Sequence, residues 1–155
     1  MTESLAFETL AHSLALAPWL DEHGVPQDGR PLAEQVRVLL GEPQQCYMNA
    51  STAGDAEPAL RYTEGLLRLD GIPPFQHAWL TDPEGQVVEV TPLDGAPGRS
   101  LGVPIVLVLV VIGRGTGRGG YYDPALPGLI ELGWTPGDDE RTIARWRERV
   151  ETAEN

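Results

Sequence analysis

The sequence predicts an α+β fold, and three observations carry that expectation. Helix-spaced apolar residues occur near both ends, at Leu5, Leu10 and Leu14 and at Ile143, Trp146 and Val150. Between them lie short β-branched and aromatic runs separated by turn residues, as in Phe75–Leu80, Asp82–Gly85 and Val87–Thr91. Gly and Pro number 18 and 14, a density of breakers that disfavours a plain helical bundle.

The elements follow in order. Residues 3–17 have a helical face of Leu5, Leu10, Leu14 and Ala17, and Pro18 is expected to end it. Residues 21–31 are polar and breaker-rich, which predicts a loop. Residues 31–40 predict a second helix, with Pro31 in its first turn and Leu32, Val36, Leu39 and Leu40 on one side. A helix is expected to start at or just after Cys46 and to end near Gly54. Leu60–Leu69 predicts a strand in which Gly65 marks a bulge or a close backbone approach. Phe75–Leu80 and Val87–Thr91 predict a hairpin around Asp82–Gly85, with paired residue numbers summing to about 167. Leu101–Ile112 is rich in β-branched residues and predicts a strand buried on both faces. Gly113–Gly120 predicts a flexible glycine-rich loop, Tyr121–Trp134 an irregular segment with room for a short helix, and 138–152 a final helix capped by Asp138 or Asp139.

At 155 residues, with no repeat and no composition break, residues 1–155 read as a single domain. The formal net charge of −12 opposes phosphate backbones and anionic lipid, which argues against nucleic acid and membrane partners. A lone cysteine makes no internal disulfide. The N-terminus lacks the basic region of a signal peptide, and the longest apolar run is too short to span a bilayer. A cytoplasmic location is therefore expected. No cluster has zinc-ligand spacing, and the glycine-rich stretch lacks the Lys-Ser/Thr of a P-loop, so no metal or cofactor is expected. Arg114 and Arg118 within that stretch are candidates to bind a carboxylate or steer a substrate. Asn49 and Ser51 match a glycosylation acceptor, which is discounted without a secretory signal.

The chemistry-bearing residues are Cys46, His77 and Glu89. A thiol at a helix start sits in a partial positive potential that favours the thiolate. His77 opens an apolar strand after a Pro-Pro turn, unlike His12 and His23, whose settings suit solvent exposure. An imidazole there can take a proton from a thiol and later give it to a leaving amine. Glu89 interrupts Val87-Val88-x-Val90, placing a carboxylate where the strand favours apolar residues. Its expected role is to accept the far N–H of His77 and so fix tautomer and ring orientation.

Cys46 at a helix start, Tyr62-Thr63-Glu64-Gly65, His77-Ala78-Trp79 and Val88-Glu89-Val90-Thr91 together resemble the transglutaminase-like branch of the papain-like cysteine enzymes, over roughly residues 44–112. The resemblance implies an antiparallel sheet packed on the Cys46 helix and thiol attack on an amide or acyl carbonyl. It also implies that Gln44 or Gln45 supplies an oxyanion donor. The family usually carries Asp where this chain has Glu89, one methylene longer. The function expected is a cysteine-dependent hydrolase or acyltransferase acting on a peptide, protein or small amide. The alternative is an inactive binding or adaptor module on the same fold. Substrate identity and oligomeric state are left open by the sequence.

Overall fold

The computed structural model describes residues 16–28, 46–68, 74–91, 99–116 and 124–154. The predicted helix over 31–40, most of that over 3–17, and Gln44 and Gln45 lie outside these residues. The described chain is mixed α+β, with five helices and a five-stranded antiparallel sheet.

Residues 16–23 are helical (α1). Pro18 was expected to end this helix, but the helix runs through it. Leu16 and Leu20, one turn apart, are both buried, and Trp19 stacks on Trp134. Those anchors hold the helix to the core on both sides of Pro18. The expected loop after it instead holds strand β1, Val25–Asp28. Pro26 is tolerated because β1 is an edge strand, paired among the described residues only with the strand at Arg99–Pro104.

Helix α2 is Cys46–Ala56, over the stretch where the sequence predicts one. Gly54 lies against Leu80 and Tyr62, so α2 can press closely on the sheet. Strands β2 (Arg61–Arg68), β3 (Phe75–Thr81) and β4 (Val87–Val88) follow. The β3–β4 turn closes through Asp82: its N–H donates to the Gln86 carbonyl at 3.0 Å, and its side chain accepts the Glu84 and Gln86 amides. Gly85 supplies the positive φ of 81° that this turn requires. The hairpin pairs Leu80 with Val88 and Thr81 with Val87, a sum of 168 rather than 167. That single step matters, because side-chain direction alternates along a strand and a one-residue slip reverses it.

The expected strand over Leu101–Ile112 is corrected. Strand β5 covers Arg99–Pro104, and helix α3 covers Leu107–Thr116. Pro104 cannot extend the hydrogen-bonded ladder, and beyond it burial follows a helical period. Leu109, Val110 and Ile112 are buried while Val108 and Val111 face outward. Gly113, expected in a loop, lies inside α3, where an added Cβ would sit 2.4 Å from the Ala125 carbonyl. Short helix α4 (Leu126–Glu131) packs there, followed by α5 (Asp139–Glu154). Several residues of the segment expected to be irregular are core: Leu126, Leu129, Leu132 and Trp134 are buried.

The sheet order is β1-β5-β2-β3-β4. Gln27 on one edge strand donates to the Gly85 carbonyl beside the other edge and accepts the Trp79 indole N–H at 3.0 Å. The sheet is therefore curled enough for one side chain to span its edges. Gly65 pairs through β2 without a bulge, so its role is close approach: a Cβ there would lie 2.0 Å from the Leu101 carbonyl. No helix among the described residues is long and apolar enough to cross a membrane.

Gly102 offers a test of this packing. A Cβ there would meet Trp79 Cη2 at 2.6 Å and the Glu64 carbonyl at 2.7 Å, far inside normal carbon contact. Gly102→Ala is expected to lower unfolding free energy by about 2 kcal/mol in urea titration. Gly85→Ala, where nothing lies within 4 Å and only φ is strained, should cost about 1 kcal/mol. A Gly102→Ala midpoint equal to wild type would show that Trp79 does not rest on this glycine.

Candidate active site

Three elements supply the site. Cys46 begins α2 and is half-buried. His77 lies on β3, buried between Phe75 and Trp79 on the same side of the strand. The Phe75 ring meets the imidazole edge-on at 5.9 Å, and Trp79 lies nearly parallel to it at 6.1 Å. The aromatic pair limits rotation of the ring. Glu89 follows directly after β4. Continuing the register of β4 places it opposite Trp79 and on the His77 side. The residue sum of 168 thus removes the register adjustment that a sum of 167 would have required.

His77 Nε2 and Glu89 Oε2 are 2.8 Å apart. A carboxylate only accepts, so Nε2 carries the proton and donates it. Cys46 is the other group close enough to the His77 ring to push its pKa up. With Nε2 committed to Glu89, Nδ1 is the nitrogen left to meet the sulfur. The sulfur, the imidazole and the carboxylate are therefore brought together in series.

Electrostatics follow from that arrangement. Burial pushes the His77 imidazole down, but the influence of Cys46 beside it and the hydrogen bond and charge of Glu89 outweigh it, so His77 is pushed up to about 9. The ring is thus an imidazolium at neutral pH, placed beside a thiol.

Two further residues join the site. Glu89 Oε1 accepts the Thr91 backbone N–H at 3.2 Å. The Thr91 hydroxyl accepts the Asn49 amide at 2.9 Å, with both side chains buried. The sequence contained one signal for Asn49: it lies within a helix, three residues past the cysteine, where asparagine is a poor helix former. Thr91 carried no signal beyond its place in the motif.

Arg114, expected in a glycine-rich loop as a candidate to bind a carboxylate or steer a substrate, is not in a loop. It lies in α3, is buried, and donates to the Tyr47 carbonyl at 3.1 Å and to Ser51 Oγ at 2.8 Å. Its guanidinium thus holds the first turns of α2. Arg118 lies outside the described residues. Among the described residues no group of three His, Cys, Asp or Glu is placed to hold a metal ion.

No protein-family model, curated protein or solved structure matches this chain.

A proton-by-proton check of the site is available. By NMR the His77 ring is expected to titrate near 9, against 6.5 for an unperturbed histidine, and so to be charged at pH 7. Glu89→Gln removes a negative charge that favours the protonated ring. The midpoint should then fall by about one unit or more. A midpoint that stays put would mean that Glu89 does not govern the ring.

Proposed function

We propose that the protein is a cysteine-dependent hydrolase or acyltransferase of the transglutaminase-like, papain-like kind, acting on an amide or acyl carbonyl. The reading is carried by one arrangement: His77 is hydrogen-bonded to Glu89 and has Cys46 close enough to push its pKa up. A histidine pinned between a sulfur and a carboxylate is the arrangement that thiol acyl transfer requires.

In this reading the Cys46 sulfur, as thiolate, attacks the carbonyl carbon and forms a C–S bond, and the carbonyl oxygen takes the electron pair. The Cys46 backbone N–H, in the first described turn of α2, is a donor suited to that oxygen. Collapse breaks the C–N bond, and the His77 imidazolium gives its Nδ1 proton to the leaving amine. The thioester is then attacked by water or a second amine, whose proton returns to His77 as the thiolate leaves. Glu89 touches none of the reacting atoms. It holds the ring so that Nδ1 faces the sulfur and stabilises the ring while it is charged. The extra methylene of Glu89, relative to the aspartate of the family it resembles, is accommodated here by a 2.8 Å bond to His77. The strongly acidic surface suits a neutral or cationic acyl donor or amine acceptor.

The test needs no substrate. A free thiol holds well under about 1% thiolate at pH 6. Cys46 beside the His77 imidazolium should react with iodoacetamide about tenfold faster than free N-acetylcysteine at that pH. His77→Ala should remove the advantage, and Cys46→Ala should abolish labelling. A wild-type rate equal to the free thiol would reject the enzyme reading and leave a binding module on this fold.

A further inference from the structure

Regular pairing of β4 stops at Val88, one residue before the carboxylate that holds His77. Something other than the ladder must therefore fix Glu89. Its extra methylene makes the need greater, because each added rotatable bond lets the carboxylate sample more positions.

Both oxygens of that carboxylate are committed. Oε2 takes His77, and Oε1 takes the backbone N–H of Thr91, two residues on. Thr91 in turn is tied by its hydroxyl to Asn49, at 2.9 Å. Asn49 lies one helical turn past Cys46, on the same side of α2. The two ends of the Cys46–His77–Glu89 series are thus joined a second time, through Glu89, Thr91 and Asn49. The loop closes on a single turn of helix.

We propose that Asn49 and Thr91 are positioning residues, a buried clamp that fixes Glu89 relative to the first turn of α2 and so sets how His77 meets the Cys46 sulfur. This rests on the reading of Cys46 as the nucleophile. The clamp touches no reacting atom. It removes the freedom that a glutamate would otherwise have, and it couples any shift of α2 to the orientation of the imidazole.

The test is the pH profile of Cys46 alkylation by iodoacetamide in the full chain, from pH 5 to 9. Thr91→Val keeps the shape and removes the hydroxyl; Asn49→Ala removes the donor. Each is expected to slow alkylation at pH 6 about fivefold or more and to move the profile toward higher pH. Thr91→Ser, which restores the hydroxyl, should recover most of the rate. The double variant should be no slower than the slower single one, as expected for two residues acting through one bond. Thermal melts establish that each variant is folded at the assay temperature, and the two single variants approach the bond from opposite sides should one fail to fold. A wild-type rate no greater than a free thiol sinks the nucleophile reading and the clamp with it. A wild-type rate well above the free thiol, with folded Thr91→Val or Asn49→Ala matching it across the pH range, overturns the clamp alone. Failure of Thr91→Ser to recover the rate does the same.

Discussion

The fold depends on a buried polar chain running from Arg114 through Tyr62 to Glu64. Arg114 Nη2 reaches Tyr62 Oη at 3.4 Å, and that hydroxyl donates to Glu64 Oε2 at 2.6 Å. Glu64 is buried and also accepts the Ala125 and Leu126 amides, at 2.8 and 3.0 Å, where α4 begins. Burial holds its carboxyl above the usual range against the opposing pull of those donors and of Arg114. Burying a carboxylate or a guanidinium alone is costly, and here each charge is surrounded by donors or acceptors. The benefit is geometric. One chain of bonds links β2, α3, α4 and, through Tyr47 and Ser51, the first turns of α2. The helix that carries Cys46 is thereby fixed to the sheet that carries His77.

The site was more legible in the sequence than the scaffold that holds it. Cys46, His77 and Glu89 each stood out because their chemistry conflicted with their surroundings: a lone thiol at a helix start, an imidazole in an apolar strand, a carboxylate among valines. The Asp82–Gly85 turn fixed the hairpin to within one residue. The Leu101–Ile112 run was misread because β-branched residues fill a buried helix as readily as a buried strand. Pro104 held the answer, since a proline does not belong in the middle of a central strand. β1 was invisible because an edge strand made of Val25, Pro26, Gln27 and Asp28 has no apolar alternation. It is held by backbone pairing to β5 and by one glutamine side chain.

Arg114 shows a different limit of sequence reading. Flanked by glycines, it looks like a mobile loop cation available to a ligand. In the structure one of those glycines, Gly113, brings α3 against the Ala125 carbonyl, and the arginine beside it turns inward over the Tyr62 ring, 5.8 Å from its centroid. Local composition suggested a loop where the chain is helical through Thr116, and said nothing about the direction of the side chain. Direction came from Glu64, fifty residues away in the chain, through the tyrosine between them.

These contacts bear on how little of the chain the site can do without. Cys46 through Thr91 is one contiguous stretch and contains all five residues of the bonded loop. It does not hold itself in place. β2 lies between β3 and β5, so the strand next to His77 is paired on its far side by residues 99–104. Trp79, which limits the His77 ring, lies over Gly102 of that same strand and is anchored by Gln27 of β1. Cys46 is held through an arginine sixty-eight positions later. The His77 ring is therefore oriented through Trp79 by residues both before and after this stretch, and the first turns of α2 by a residue after it. Hydrogen bonds of this kind are short-ranged and directional, so a loose scaffold would lose the His77 alignment before it lost its secondary structure. The extensive pairing of β2 on both sides is what allows a chain this small to keep three polar groups aligned in a largely buried setting.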